Sequence, residues 1–155
     1  MAEESTFDAQ TFLNTEVEGE METRYTPVPA AIYTSMIDDI AVREAGDSIV
    51  LDVTHVLINV DELQSNMGME RLTVRQGIFL DIEPNGAIAL GPNKNVKLGR
   101  LREAVNQNGG RWNFAMLKGA GPLLITVSTK PDKDDPTVIY NRVDKTLPMA
   151  EVTQR

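Results

Sequence analysis

Two stretches in the middle of the chain repeat with a period of two residues, the period of a β-strand. In residues 48–60, Ile49, Leu51, Val53, His55, Leu57 and Asn59 share one face, and Val50, Asp52, Thr54, Val56 and Ile58 share the other. Both faces are partly apolar, as in a strand of a barrel. In residues 69–82, Leu72, Val74, Ile78, Leu80 and Ile82 recur at even positions. Arg71, Thr73, Arg75, Gly77, Phe79 and Asp81 take the opposite face. Two such runs commit the chain to a mainly β fold.

The flanking sequence supplies the remaining elements. Residues 30–42 mix Ile32, Met36, Ile37, Ile40 and Val42 with polar residues, which predicts a first strand with a bulge near Asp38-Asp39. Residues 45–47 form a turn, and residues 61–68 read as a polar connection. Asn85-Gly86 is the dipeptide that a type I′ turn requires. Asn93 or Asn95 offers an N-cap for a helix in which Val96, Leu98, Leu101, Ala104 and Val105 fall near helical spacing. Gly109 and Gly110 then supply a left-handed stop. Residues 123–129 and 137–143 form a long hairpin around the charged tip 130–136. The expected order is three strands, one helix and two strands.

At 155 residues the chain has room for one domain. It has no cysteine, so disulfides, thiolate metal sites and a cysteine nucleophile are excluded. No basic region followed by an apolar run marks a secretory signal, and no stretch suits a membrane helix, so a cytoplasmic protein is expected. Tyr25-Thr26-Pro27-Val28-Pro29 forces an extended backbone where the ordered body should begin. The predicted divisions are an acidic flexible arm over residues 1–24, a β domain over 25–148 and a tail over 149–155. Within the arm, a short helix from Asp8 to Asn14 is expected, capped by Thr6 or Asp8.

Charge is segregated. The formal net charge is −8, yet residues 1–48 hold eleven acids and only two bases, Arg24 and Arg43. Residues 94–118 hold Lys94, Lys97, Arg100, Arg102, Arg111 and Lys118 against Glu103 alone. An acidic arm is attached to a mildly basic body, and such a body can meet a polyanion.

Catalysis finds no support. His55 is the one histidine, lies in a strand and has no second histidine for a metal site, which suits a structural role. Asp38-Asp39 and the acids of 132–135 lack calcium-loop spacing. There is no phosphate-cradling glycine loop, nucleophile elbow or zinc-protease helix. No enzyme, cofactor or metal is expected.

Binding a single nucleic-acid strand takes bases along a groove and flat rings for stacking. Arg71, Arg75 and Phe79 share a face of the third strand, although a solvated polar face would look the same. Trp112 and Phe114, flanked by Arg111 and Lys118, suit an aromatic pair in a basic setting, or a core tryptophan. Tyr140 with Arg142 and Lys145 offers a ring and two bases on the last hairpin. Lys94 and Lys97, with Arg100 and Arg102, extend a footprint or simply wet one side of the helix.

The order of elements is that of the oligonucleotide-binding (OB) barrel, five strands with a helix between the third and fourth. The sequence also resembles a loosely defined family of small phage-encoded proteins thought to bind single-stranded DNA. Pro27-Val28-Pro29-Ala30-Ala31-Ile32-Tyr33 resembles their opening, with alanine where glycine is usual. Residues 95–104 resemble their helix. Leu117-Lys118-Gly119 and Tyr140-Asn141-Arg142-Val143 resemble their closing hairpin. The resemblance covers residues 25–148 and implies a protein that coats single-stranded DNA, with little sequence preference, in phage replication or recombination. The acidic arm would then screen the groove or recruit replication or recombination proteins. The composition leaves self-association open. A virion structural component, such as a head decoration or connector protein, is the alternative. A small inhibitor that mimics DNA with its acidic arm is a third reading.

Overall fold

The alternation of residues 48–60 is realised in β2 (Ser48–Ile58), whose Leu51, Val53, His55 and Leu57 are all buried. The computed structural model describes residues 7–149. Besides β2 it contains α1 (Ala9–Leu13), β1 (Ala31–Ala45), α2 (Asp61–Met67), β3 (Thr73–Leu80), α3 (Val96–Ala104), a 3-10 turn (Phe114–Leu117), β4 (Leu123–Pro131) and β5 (Ile139–Pro148). The strands form one antiparallel sheet in the order β3-β2-β1-β4-β5. Even residues of β3 point inward and odd residues outward, as their apolar period requires.

β1 lies at the centre. It pairs with β4 through residues 31–35 and with β2 through residues 34–45, and its register slips between Ile37 and Asp39. This is the expected bulge. Beyond the β4 pairing, the Ile37 amide donates to Ala120 O (2.9 Å) and Ile37 O accepts from Gly119 N (2.8 Å). Gly121 follows at φ +131°, where a Cβ would sit 3.0 Å from Met36 Sδ. Only glycine lets this segment lie so close to β1.

The expected barrel is not closed. β3 and β5 are the sheet's two edges, with no hydrogen-bonded ladder between them. α3 packs against both instead, and its Leu98, Leu101 and Ala104 enter the core with Leu117 and the inward residues of the sheet. Burial of a leucine of this kind contributes roughly 1.5–3 kcal/mol. Among the described residues, no helix is long and apolar enough to cross a membrane.

Four local expectations change. Residues 61–68 contain a helix, not a plain connection. Asp61 and Glu62 sit in its first turn, Leu63 and Met67 pack on the core one turn apart, and Gly68 closes it at φ 66°. Asn95 precedes α3 but does not cap it. Its own φ is +51°, and its side chain accepts from Asp81 N (2.8 Å) and donates to Asp81 O (2.9 Å) and Ala89 O (2.8 Å), tying the loop to the end of β3. Asn85-Gly86 is not a type I′ turn, because only Gly86 has positive φ. The Gly86 amide donates to Glu83 O, placing Pro84 and Asn85 at the turn's centre. After α3, Asn106 at φ 58° makes the left-handed stop, before the glycines are reached. In the arm, Asp8 caps α1 by accepting from Gln10 N at 3.0 Å. Thr6, the other proposed cap, lies outside the described residues, as does the tail beyond Met149.

A buried polar chain crosses three strands. His55 is fully buried. Its Nε2 lies 2.9 Å from Gln76 Oε1 and its Nδ1 lies 3.1 Å from Ser35 Oγ. The amide oxygen only accepts, so Nε2 carries the proton and Nδ1 of the neutral ring accepts from the Ser35 hydroxyl. The serine and histidine are closed to any substrate, and their role is to satisfy one another in the core. Burial holds His55 below its ordinary value, partly offset by the Gln76 hydrogen bond. Below about pH 6.5 the unfolded chain therefore binds a proton that the folded chain refuses, so stability falls as pH drops through the depressed folded value. We expect the wild-type melting temperature to fall between about pH 7 and about pH 5.5. In His55→Gln this part of the slope should vanish, which thermal melts across that range will check.

Candidate functional site

The seam between the two sheet edges is a heavily charged concavity. Odd residues of β3 face outward, which brings Arg75 and Gly77 to one wall. Tyr140, Arg142 and Asp144, alternate residues of β5, form the other. Arg43 of β1 and Asp52 of β2 close one side, and Lys97 reaches in from the start of α3. The groove has a volume of about 610 Å³. It continues beneath α3 into a hollow of about 280 Å³ that adds Arg100, Glu103 and Lys145. Arg43, Arg75, Lys97, Arg100, Arg142 and Lys145 thus face Asp52, Glu103 and Asp144 along one seam.

Two of these bases are already paired. Arg43 Nε donates to Asp52 Oδ2 and Arg142 Nε to Asp144 Oδ1, both at 2.7 Å. The Arg142 hydrogen bond holds the Asp144 carboxyl below the usual carboxylate range. Bonding through Nε leaves terminal guanidinium nitrogens for an incoming anion. Among the described residues Arg75 and Lys97 have no ion-pair partner. Arg100 and Lys145, farther along the seam, are likewise unpaired among the described residues.

A third, more apolar cavity of about 800 Å³ adjoins the groove. Residues 23–28, Met67, Met69, Leu72, Val74, Val138 and Ile139 line it, and Arg75, Tyr140 and Asn141 line both it and the groove. The chain that enters here is held firmly. Val28 is buried, its N–H donates to Asn141 Oδ1, and Asn141 Nδ2 donates back to Val28 O, each at 2.9 Å. Arg24 lies 3.6 Å from Asp135. Glu16, Glu18, Glu20 and Glu22, all exposed, precede this anchored stretch in the chain.

The structure sorts the residues proposed from sequence. Arg75, Lys97, Tyr140 and Arg142 meet in the groove, and Phe79, 66% exposed, lies on the same outward face of β3. The others lie elsewhere. Arg71 is paired with Asp38 and Lys118 with Asp39, both at the β1 bulge. Lys94 lines a separate hollow with Asp47, Asp81 and Glu83. Arg111 is exposed on the connection after α3. Trp112 and Phe114 pack against the core, with ring centroids 4.9 Å apart. The Trp112 ring also lies under the Arg102 guanidinium at 4.2 Å, and its Nε1–H donates to Gln107 Oε1 at 2.9 Å. These partners engage the indole and pin the α3–β4 connection, the structural role weighed from sequence.

Arg43 was missed as a candidate site residue, although its pairing with Asp52 was legible. Gly46-Asp47 is a two-residue turn that pairs Ala45 with Ser48, so Arg43 falls opposite Val50 and diagonal to Asp52. Removing the indole should cost stability. Trp112→Ala is expected to lower the unfolding free energy by about 3 kcal/mol, measured by urea denaturation. No protein-family model matches the chain, and no curated protein matches it.

Proposed function

We propose that the protein binds single-stranded DNA along the β3–β5 seam, with little sequence preference, in the cytoplasm of a phage-infected cell during replication or recombination. The observation that carries this reading is the groove. Arg43, Arg75, Lys97 and Arg142 converge on it beside Tyr140 in a chain whose formal net charge is −8. Acidic proteins have no general reason to collect bases in a concavity, whereas a polyanionic strand requires it.

The strand order, with α3 between β3 and β4, supports an OB-like architecture left open at one seam. OB folds are partly open barrels that bind oligonucleotides on the face of their second and third strands. Here that face carries Arg75 and Phe79. Phosphates would lie on Arg75 and Lys97 first, then on the free guanidinium edges of Arg43 and Arg142. Bases would stack on Tyr140 and Phe79, each stack contributing roughly 1–3 kcal/mol. The acidic arm, anchored at the end of the seam, would compete with DNA for these bases and is the surface for replication or recombination proteins.

The test is a fluorescence-anisotropy titration with a labelled strand of about 30 nucleotides at low and moderate salt, with a duplex control. The single strand should bind more tightly than the duplex and weaken with salt. Arg75→Ala and Lys97→Ala should each reduce affinity about fivefold and flatten the logarithmic salt slope by about 0.7, the value of one phosphate contact. Lys133→Ala, in the loop between β4 and β5, should change neither. Replacing Glu16, Glu18, Glu20 and Glu22 with glutamine should raise affinity at low salt. Absence of binding by the wild type and by this charge-neutralised variant would end the proposal and favour the virion component.

A further inference from the structure

Gly77 occupies the middle of β3, opposite Asp52 of β2, where glycine weakens a strand by its backbone freedom and gives no side chain to pack. Two of the usual reasons for tolerating it are absent. Its φ is not among the positive values, so the backbone accepts any L-residue. Space is not short either, because a Cβ at this position would meet Asp52 Oδ1 and Val50 Cγ1, each at an ordinary 3.6 Å. Gly121, with its positive φ and crowded Cβ, shows what a glycine demanded by the fold looks like in this molecule.

What distinguishes position 77 lies outside the sheet. The outward face of β3 runs Thr73, Arg75, Gly77, Phe79, all exposed. Gly77 lines both the groove and the hollow beneath α3. A side chain here would stand up from the floor, between the Arg75 side chain and the Phe79 ring, which has no aromatic partner among the described residues. Glycine leaves its own place on that floor without a side chain, beside the Asp52 carboxylate, with Arg75 and Phe79 the next residues along the same face of β3 and Lys97 also lining the groove.

We infer that Gly77 is the floor of a nucleobase subsite, where one base of the bound strand lies over the bare β3 backbone against Phe79 while its phosphate meets Arg75 and Lys97. The inference rests on the single-strand reading of the groove and adds the residue that keeps room for a base there. A glycine in a strand can also serve as a bend point for a curling sheet. The two roles predict opposite effects of adding a side chain. If the floor must be bare for a ligand, a β-branched residue should leave the fold intact or firmer, since such residues suit strands, and should damage binding alone.

The experiment compares the full-length wild type with Gly77→Val and Gly77→Ala, by thermal melting and by anisotropy with the same labelled single strand across salt concentrations. Gly77→Val should melt at or above the wild-type temperature and bind at least about tenfold more weakly, the loss of one stacked base. Its salt slope should be unchanged, because the phosphate contacts remain. Gly77→Ala should show a smaller loss in the same direction. A valine variant that binds as the wild type does would overturn the inference and leave the single-strand reading standing. Lowered melting temperatures in both variants would overturn it too, by making Gly77 a bend point. A wild type that fails to bind would remove the reading and the inference together.

Discussion

Everything in this fold depends on β1 serving two partners in succession. Its first residues pair with β4 and its longer remainder with β2, and the slip between Ile37 and Asp39 falls just past the point where β4 leaves. A bulge bends its strand and strengthens the local twist. The bend is held from the other side by the hydrogen bonds of Ile37 with residues 119 and 120, and by Gly121 packed against Met36. A sheet bent at its centre brings its edges round toward each other. β3 and β5 then face across a seam that no hydrogen-bonded ladder closes, and α3 is packed against both.

The seam reconciles an acidic chain with a basic site. Net charge governs solubility and long-range steering, but a groove responds to the charges within about a Debye length, about 8–10 Å at ordinary salt. Along the seam the bases outnumber the acids, and the two arginines paired through Nε are held in place rather than neutralised for every approach. The excess acid sits mostly in the N-terminal segment, which is tied to the body at Val28 and Arg24 beside the end of the same groove.

Much of the framework was legible because strand alternation and side-chain burial follow one period. Leu51, Val53, His55 and Leu57 on β2 and Val74 and Ile78 on β3 are buried as their spacing requires. Short-range signals misled where a tertiary partner outbid them. Asn95 has the chemistry of a cap, but Asp81 and Ala89 offer its amide better-placed partners. Asn85-Gly86 suits a type I′ turn, yet the preceding proline takes a central position of a different turn. The helix at Asp61–Met67 was missed because seven mostly polar residues show too little periodicity, although the acids of its first turn and Gly68 mark both ends.

The site was half legible for a related reason. Residue type and strand parity placed Arg75 and Phe79 on an outward face, and parity likewise places Tyr140 and Arg142 together. Trp112, Phe114, Arg111 and Lys118 looked equally suitable, being bases and rings close in sequence. Their surroundings separate them, since Arg102, Gln107 and Asp39 come from elsewhere in the chain. By itself the sequence determined the strands, the helix between β3 and β4, the faces of β2 and β3, and the separation of acid from base, because each follows from local period and composition. Only the tertiary structure decided that the sheet stays open between β3 and β5, that Arg43 joins Arg75, Lys97 and Arg142 there, and that Gly77 forms the floor. Those facts depend on how far β1 bends, which is set by contacts between segments distant in the chain and leaves no periodic trace in any one of them.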